Sequence, residues 1–142
     1  SYGGYMTLIA LGKYPDTFAA GVELFGIINW YTMYANKEGG LHEYLANLLG
    51  DPVKDKAVYD AASPMTYAQN IKVPLLVQQG ENDARVPKSQ AEEVVARVKL
   101  NGGIVDAVYY ANEGHGFSRK ENQVDSLARM VAWMDKYVKG VK

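Results

Sequence analysis

The chain has 142 residues, 48% of them hydrophobic and 22% charged, which is the size and composition of one globular domain. Its 15 basic and 16 acidic side chains leave a formal charge of −1, which argues against a nucleic-acid partner. The absence of cysteine excludes disulfide bonds and thiolate catalysis, and it favours a reducing, cytoplasmic location.

The first half of the chain is predicted to contain one strand between helices. Apolar residues at helical spacing predict a helix over residues 3–13, which Pro15 closes. Residues 19–25 form a short apolar run that ends before a glycine, which is typical of a buried parallel strand. The segments that follow predict a loop with short helices and then three helices: residues 27–40, 41–49, 54–62 and 63–70.

The second half alternates strand and helix. The clearest strand covers residues 75–79, and residues 105–110 alternate as a second strand. Helical spacing predicts helices over residues 89–100 and 123–138. Strands that alternate with helices pair in parallel through right-handed crossovers. The chain is therefore predicted to be α/β, with about three parallel strands and flanking helices in one unit over residues 1–142.

Three short motifs lie beside these predicted elements: SYGG at residues 1–4, GENDARVP at residues 80–87 and EGHGF at residues 113–117. Ser1, Asp83 and His115 follow the chain order of α/β-hydrolase triads. A serine hydroxyl becomes nucleophilic when an imidazole takes its proton and a carboxylate orients that imidazole. Because loops after parallel strands converge at one sheet edge, these distant residues are predicted to meet there.

Each motif also has an ordinary interpretation. SYGG and the segment around Asp83 are good turn sequences, and a histidine between glycines occurs in loops without a role. The order of the three motifs, each beside a predicted strand, favours catalysis. No phosphate-binding glycine loop or metal-ligand cluster is present, so neither a cofactor nor a metal is expected. No apolar run approaches the roughly 18 residues of a membrane span, so no membrane association is expected.

Other histidine and aromatic positions are less informative. His42 has no carboxylate or second histidine at ligand spacing, which favours a surface or half-buried position without a chemical role. Trp30, Tyr31, Tyr34 and Tyr44 could line a substrate pocket, although aromatic residues in such a segment more often serve packing.

These motifs resemble the prolyl oligopeptidase family of serine peptidases, in particular its acylaminoacyl-peptidase-like and dipeptidyl-peptidase-like branches. The resemblance covers nearly the whole chain and rests on residues 1–7, 14–16, 18–22, 50–52, 63–64, 74–87 and 113–117. It implies that Ser1 is the acylated nucleophile, Asp83 the orienting acid and His115 the general base. It also implies that the backbone N–H of Tyr2 donates to the oxyanion and that Arg85 binds a backbone carbonyl of the substrate.

The family pattern includes parts that these residues do not contain. The nucleophile motif G-x-S-x-G lacks its first glycine, because the sequence begins at Ser1. The resemblance therefore implies the C-terminal portion of an α/β-hydrolase domain, with the early strands, a second oxyanion donor and an N-terminal β-propeller in a parent protein. Since losing one oxyanion donor costs about 10²–10³ in turnover, little or no activity is expected of the chain alone.

Three functions remain open. The first is a serine peptidase that hydrolyses short peptides through an acyl-enzyme, and Arg85 together with the peptidase-like motifs favours it. The second is a carboxylesterase of the same fold, because a triad alone does not separate esters from amides. The third is a non-catalytic association module. The strand near residue 25 would lack a neighbour in this chain, so self-association through the exposed sheet edge is also expected.

Overall fold

The fold is built on a parallel three-stranded sheet. The computed structural model describes residues 1–140. Within them, β1 (Gly21–Leu24), β2 (Leu75–Gly80) and β3 (Val105–Tyr110) lie in the order β1-β2-β3. Both pairs are parallel, with Gly21 opposite Leu75 and Leu75 opposite Val105. The predicted α/β class, with three parallel strands and flanking helices, is confirmed.

Helices connect and flank the strands. The α-helices of residues 1–140 are α1 (Tyr2–Lys13), α2 (Trp30–Ala35), α3 (His42–Leu49), α4 (Lys56–Ala62), α5 (Lys88–Leu100) and α6 (Lys120–Met134). The helix predicted over residues 63–70 is instead two single 3₁₀ turns, Pro64–Thr66 and Ala68–Asn70. The last helix begins earlier than predicted and ends in a π-helical turn, Asp135–Lys139. None of these helices is long and apolar enough to cross a membrane.

The central strand β2 is buried along its whole length. Its apolar side chains pack with those of α1 and α5 in a cluster of Leu8, Leu11, Ile28, Ala68, Ile71, Leu75, Val77, Ala91, Val94 and Val98. A second cluster joins α2, α3 and α4 and contains Ile27, Trp30, Met33, Leu45, Tyr59 and Val86. Because Val86 belongs to it, the loop after β2 is packed down at the edge where the candidate site lies.

The carboxyl ends of the three strands share one edge of the sheet. Gln78 lies opposite Leu24 and Gly80 lies opposite Tyr110, so the loops that follow the strands begin side by side. Ser1 lies at the same edge, since its α-amino group donates to the carbonyl of Leu24 at 3.0 Å. The sheet therefore gathers the start of α1 and the loops after β1, β2 and β3.

Candidate active site

Asp83 and His115 form a direct pair between the loops after β2 and β3. His115 Nδ1 lies 2.8 Å from Asp83 Oδ2, and Asp83 is only 5% exposed. The other carboxylate oxygen, Oδ1, accepts the backbone N–H groups of Arg85 and Val86, each at 2.9 Å. Because an ionised carboxylate only accepts, His115 donates from Nδ1 and its Nε2 remains free to take a proton.

The loop that carries His115 is organised by Glu113, a residue whose role the sequence analysis did not predict. Its buried carboxylate accepts the backbone N–H groups of Ser118 at 2.7 Å and Arg119 at 2.9 Å, and the Asn122 amide at 3.0 Å. The Glu113 carbonyl also accepts the N–H of Asn82 at 3.0 Å, which joins the two loops. The available signal was an acid directly before the Gly-His-Gly sequence.

Replacement of Glu113 by glutamine is expected to reduce the stability of the folded protein near neutral pH. It should also make that stability less sensitive to acid. The hydrogen bond from Asn122, helped by the amides of Ser118 and Arg119, lowers the pKa of Glu113 from 4.5 to about 2 despite its burial. A carboxyl with a lower pKa in the folded state stabilises the fold above pH 4.5, and this contribution is lost as pH falls toward 2.

The measurement is the thermal unfolding midpoint as a function of pH. The glutamine variant should unfold at a lower temperature than the wild type near neutral pH, and the difference should shrink in acid. Glu121→Gln is the matched control, because Glu121 is an exposed acid in the first turn of α6. Equal pH profiles for the Glu113 variant and the wild type would contradict the assignment.

Ser1 lies at the same edge, but its hydroxyl makes no hydrogen bond to His115. It is the N-cap residue of α1, and its carbonyl accepts the N–H of Tyr5 at 3.0 Å. Burial lowers the pKa of its α-amino group, an effect partly offset by the carboxylates of Glu23 and Asp83. Within residues 1–140 the Ser1 hydroxyl forms no hydrogen bond. The structure thus pairs Asp83 with His115 and brings Ser1 within electrostatic range of Asp83.

A pocket of about 440 Å³ opens beside Ser1. It is lined by Ser1, Tyr2, Ile27, Trp30, Gly40, Leu41, Tyr44, Leu45 and Arg85. The Tyr2 N–H lies in the first turn of α1, where backbone donors have no partner within the helix. Arg85 is exposed and forms no ion pair with any described residue. The pocket therefore combines apolar walls with a serine, a free backbone donor and a cation.

Of the four aromatic residues predicted as possible pocket residues, two line the pocket and two pack elsewhere. Trp30 and Tyr44 line the pocket beside Ser1. Tyr31 and Tyr34 instead pack on Tyr59, with ring centroids 5.1 and 6.0 Å apart. His42 is half-buried, as predicted, and its Nδ1 lies 2.6 Å from the Tyr34 carbonyl.

His115 also has an aromatic contact that was not predicted from the sequence. The ring centroids of Phe25 and His115 lie 4.9 Å apart. Phe25 also packs edge to face on Phe117, with 5.7 Å between the centroids. Phe25 follows β1 and has a φ of +40°, the one positive φ of a non-glycine residue in the described chain. Phenylalanine is a common strand residue, so nothing in the sequence indicated this conformation.

A parallel sheet that carries a serine at a helix N-terminus and an acid–histidine pair on the loops after two strands defines an α/β-hydrolase domain. A sequence model of the prolyl oligopeptidase family matches residues 1–141. The chain belongs to that family of peptidases.

Individual relatives agree with this assignment. Dipeptidyl aminopeptidase BIII of Pseudoxanthomonas mexicana is 40% identical over 127 residues, which cover 86% of this chain and 18% of that protein. The acylamino-acid-releasing enzyme of Sus scrofa is 31% identical, over 94% of this chain and 19% of that protein. The uncomplexed acylaminoacyl peptidase of Pyrococcus horikoshii superposes with a TM-score of 0.88 at 30% identity, over 97% of this chain and 23% of that chain. The chain spans about a fifth of the length of these relatives.

Proposed function

We propose that the protein is a serine peptidase that hydrolyses short peptides through an acyl-enzyme on Ser1. The observation that carries this proposal is the 2.8 Å contact between His115 Nδ1 and the buried carboxylate of Asp83, at the edge where Ser1 begins α1. Membership of the prolyl oligopeptidase family supports the same chemistry. In this proposal Ser1 is the nucleophile, His115 the general base and Asp83 the orienting acid.

The mechanism assigns one proton route to these groups. The Ser1 oxygen attacks the scissile carbonyl carbon while His115 Nε2 takes the hydroxyl proton. The resulting oxyanion accepts a hydrogen bond from the Tyr2 N–H, and collapse breaks the C–N bond as His115 protonates the leaving amine. Water then attacks the acyl-enzyme ester, with His115 taking its proton, and the acid product leaves as Ser1 regains its proton. Asp83, held by the backbone N–H groups of Arg85 and Val86, accepts from Nδ1 and stabilises the imidazolium.

The pocket supports a peptide substrate with an apolar residue before the scissile bond. Ile27, Trp30 and Leu45 supply apolar walls next to Ser1, and Arg85 supplies a charged donor at the rim. A guanidinium without an ion-pair partner is well suited to donate to a backbone carbonyl. The relatives named dipeptidyl aminopeptidase and acylamino-acid-releasing enzyme are consistent with short peptides as substrates.

Replacement of Arg85 by methionine is expected to raise the KM for peptides by about 10- to 100-fold, because a hydrogen bond from a charged group is worth about 1.5–3 kcal/mol. The kcat should change much less, since Arg85 does not touch the bond that breaks. Steady-state kinetics with a peptide amide provide the measurement. Arg97→Met is the control, because Arg97 lies on α5, pairs with Glu93 and does not line this pocket. An unchanged KM would remove Arg85 from the substrate site.

The proposed function itself is tested by labelling and by substrate comparison in the complete polypeptide. A fluorophosphonate probe should modify Ser1, and the enzyme should cleave a peptide amide as well as the matching ester. Cleavage of the ester without measurable cleavage of the amide would favour a carboxylesterase of the same fold instead. No labelling in a folded sample would favour a non-catalytic association module.

We also propose that the isolated 142-residue chain associates with a second copy through β1. The strand pairs with β2 on one side and has no strand on its other side within residues 1–140. Beside that edge lies an apolar pocket of about 420 Å³, with Met6 49% exposed and Phe18 47% exposed on its rim. An unpaired strand next to exposed apolar side chains is a template for association.

Val22→Pro is expected to convert the associated chain into a monomer. The amides of Gly21 and Phe25 donate to the carbonyls of Pro74, directly before β2, and Gln78, within it. The amide of Val22 has the opposite orientation and therefore faces the free edge. Proline therefore removes a donor from that edge without removing one from the sheet. Light scattering at micromolar concentration measures the mass, and Val22→Thr is the control that keeps the amide. A monodisperse wild-type monomer would contradict the proposal.

A further inference from the structure

The side chain of Glu23 is a buried carboxyl that the proposed mechanism does not use. It is fully buried on β1, its Oε2 accepts the backbone N–H of Gly26 at 2.7 Å, and its Oε1 has no hydrogen-bond partner among the described residues. Glycines enclose it, since a Cβ at Gly4 or Gly26 would lie 2.8 or 2.7 Å from Oε2. A carboxyl placed this tightly under the first turn of α1 needs a reason, because burial of an incompletely paired polar group is unfavourable.

The hydrogen bond from Gly26 to Glu23 closes a turn around Phe25. The backbone of Phe25 has a φ of +40°, a conformation that a residue with a bulky side chain rarely adopts without local support. One support is the Phe25 N–H, which donates to the Gln78 carbonyl at 2.9 Å, and the other is the adjacent Gly26 N–H on Glu23. In this conformation the Phe25 ring packs against the His115 ring, with 4.9 Å between the ring centroids.

The hydrogen bond to Asp83 does not by itself define the ring plane of His115. Its side chain remains 27% exposed, and its hydrogen bond to Asp83 fixes one ring nitrogen but allows the ring to rotate about that bond. The Phe25 ring packs against it at an interplanar angle of 58°, with Phe117 behind Phe25. A general base must point its free nitrogen at the nucleophile, so a contact that restricts the ring has a direct effect on proton transfer.

We propose that Glu23 is a positioning residue of the active site: through the Gly26 amide it stabilises the turn at Phe25, whose ring orients the imidazole of His115 toward Ser1. This inference rests on the proposed function and adds two residues to it. Neither Glu23 nor Phe25 contacts the substrate in this scheme, and both act through His115.

The chemistry of the carboxyl indicates which substitution preserves the role. Burial raises the pKa of Glu23 from 4.5 to about 7, against the opposing effect of the Gly26 hydrogen bond. Both the charged and the neutral carboxyl offer an acceptor oxygen to Gly26. Glutamine offers one as well, whereas alanine does not.

The first experiment compares Glu23→Gln, Glu23→Ala and Phe25→Gly in the complete polypeptide by steady-state kinetics on a peptide amide. Glu23→Ala and Phe25→Gly should each lower kcat by about 10- to 100-fold with little change in KM, the scale expected for a misplaced catalytic group. Glu23→Gln should recover most of the kcat. Phe25→Gly keeps the positive φ without strain and therefore provides a folded variant if the alanine variant does not fold.

A matched control separates positioning from loss of stability. Ser126→Ala removes another buried polar group, on α6, whose hydroxyl donates to the side-chain oxygen of Gln78. This variant should be less stable than the wild type but should retain its kcat. The inference is overturned if Glu23→Ala keeps the kcat of the control, if Glu23→Gln is as slow as Glu23→Ala, or if Phe25→Gly is as fast as the wild type.

A second measurement does not depend on catalysis. Diethyl pyrocarbonate modification, followed by mass spectrometry of the His115 peptide, reports how accessible that ring is, and His42 provides an internal reference. Glu23→Ala and Phe25→Gly should increase the rate at His115 severalfold and leave the rate at His42 unchanged. A wild type without peptidase activity would reject the proposed function, while unchanged modification of His115 would reject the positioning role.

Discussion

Replacement of His115 by alanine is expected to slow acylation of Ser1 by about 10⁴- to 10⁶-fold, the range observed when a serine hydrolase loses its general base. His115 is the residue whose free Nε2 can take the hydroxyl proton, because its Nδ1 already donates to Asp83 at 2.8 Å. The other histidine, His42, does not line the pocket beside Ser1 and so provides no replacement base. The rate of fluorophosphonate labelling and the kcat/KM for a peptide amide measure the effect.

His42→Ala is the matched control for this variant. It removes the same side chain type from α3 and should leave the labelling rate within about twofold of the wild type. Comparable labelling of Ser1 in the wild type and in His115→Ala would remove His115 from the mechanism. The outcome is informative even for a poor peptide substrate, because labelling reports the activated serine and not the full catalytic cycle.

Asp83→Asn is expected to lower kcat by about 10⁴-fold with little effect on KM or on folding. The two backbone donors from Arg85 and Val86 require an acceptor at the Oδ1 position, so the asparagine oxygen should remain there. The amide NH₂ then faces His115 Nδ1 and forces that nitrogen to accept. The proton of the neutral imidazole consequently lies on Nε2. That nitrogen then has no free lone pair and cannot accept the hydroxyl proton of Ser1.

Steady-state kinetics of this variant give kcat and KM, and thermal unfolding verifies the fold. Asp106→Asn, an exposed aspartate on β3, is the matched control and should behave as the wild type. A loss of less than about tenfold in Asp83→Asn would show that another group orients His115. A large loss of stability would show instead that the pair serves mainly to hold the two loops together.

Most of the fold followed from local sequence signals. The strand after Pro74 and the alternating strand at residues 105–110 lie as predicted, because each is a β-rich run bounded by turn residues. The prediction of one helix over residues 63–70 was wrong. The segment forms two 3₁₀ turns separated at Tyr67, which ends the first turn and caps the second. Short runs of this kind depend on tertiary packing more than on helical spacing.

The candidate site was predictable only in part. The pairing of Asp83 with His115 follows from motif order and from the convergence of parallel strands, both of which can be seen in the sequence. The contributions of Glu23, Phe25 and Glu113 depend on the contacts of three loops that are distant in sequence. Neither a positive φ at a phenylalanine nor a glutamate that accepts hydrogen bonds from three nearby residues leaves a distinctive pattern in the sequence.

The walls of the pocket and the acid–base pair come from different parts of the chain. Ile27, Trp30 and Leu45 belong to the apolar cluster around α2 and α3, whereas Asp83 and His115 are carried by loops after β2 and β3 that are tied to each other by Glu113. The two parts meet at the loop after β2, where Arg85 lines the pocket, Val86 packs in that cluster, and the backbone N–H groups of both donate to Asp83. In the proposed enzyme, residues 27–45 are therefore the target for redesigning selectivity, as long as the packing around Val86 is kept and Asp83 stays in place.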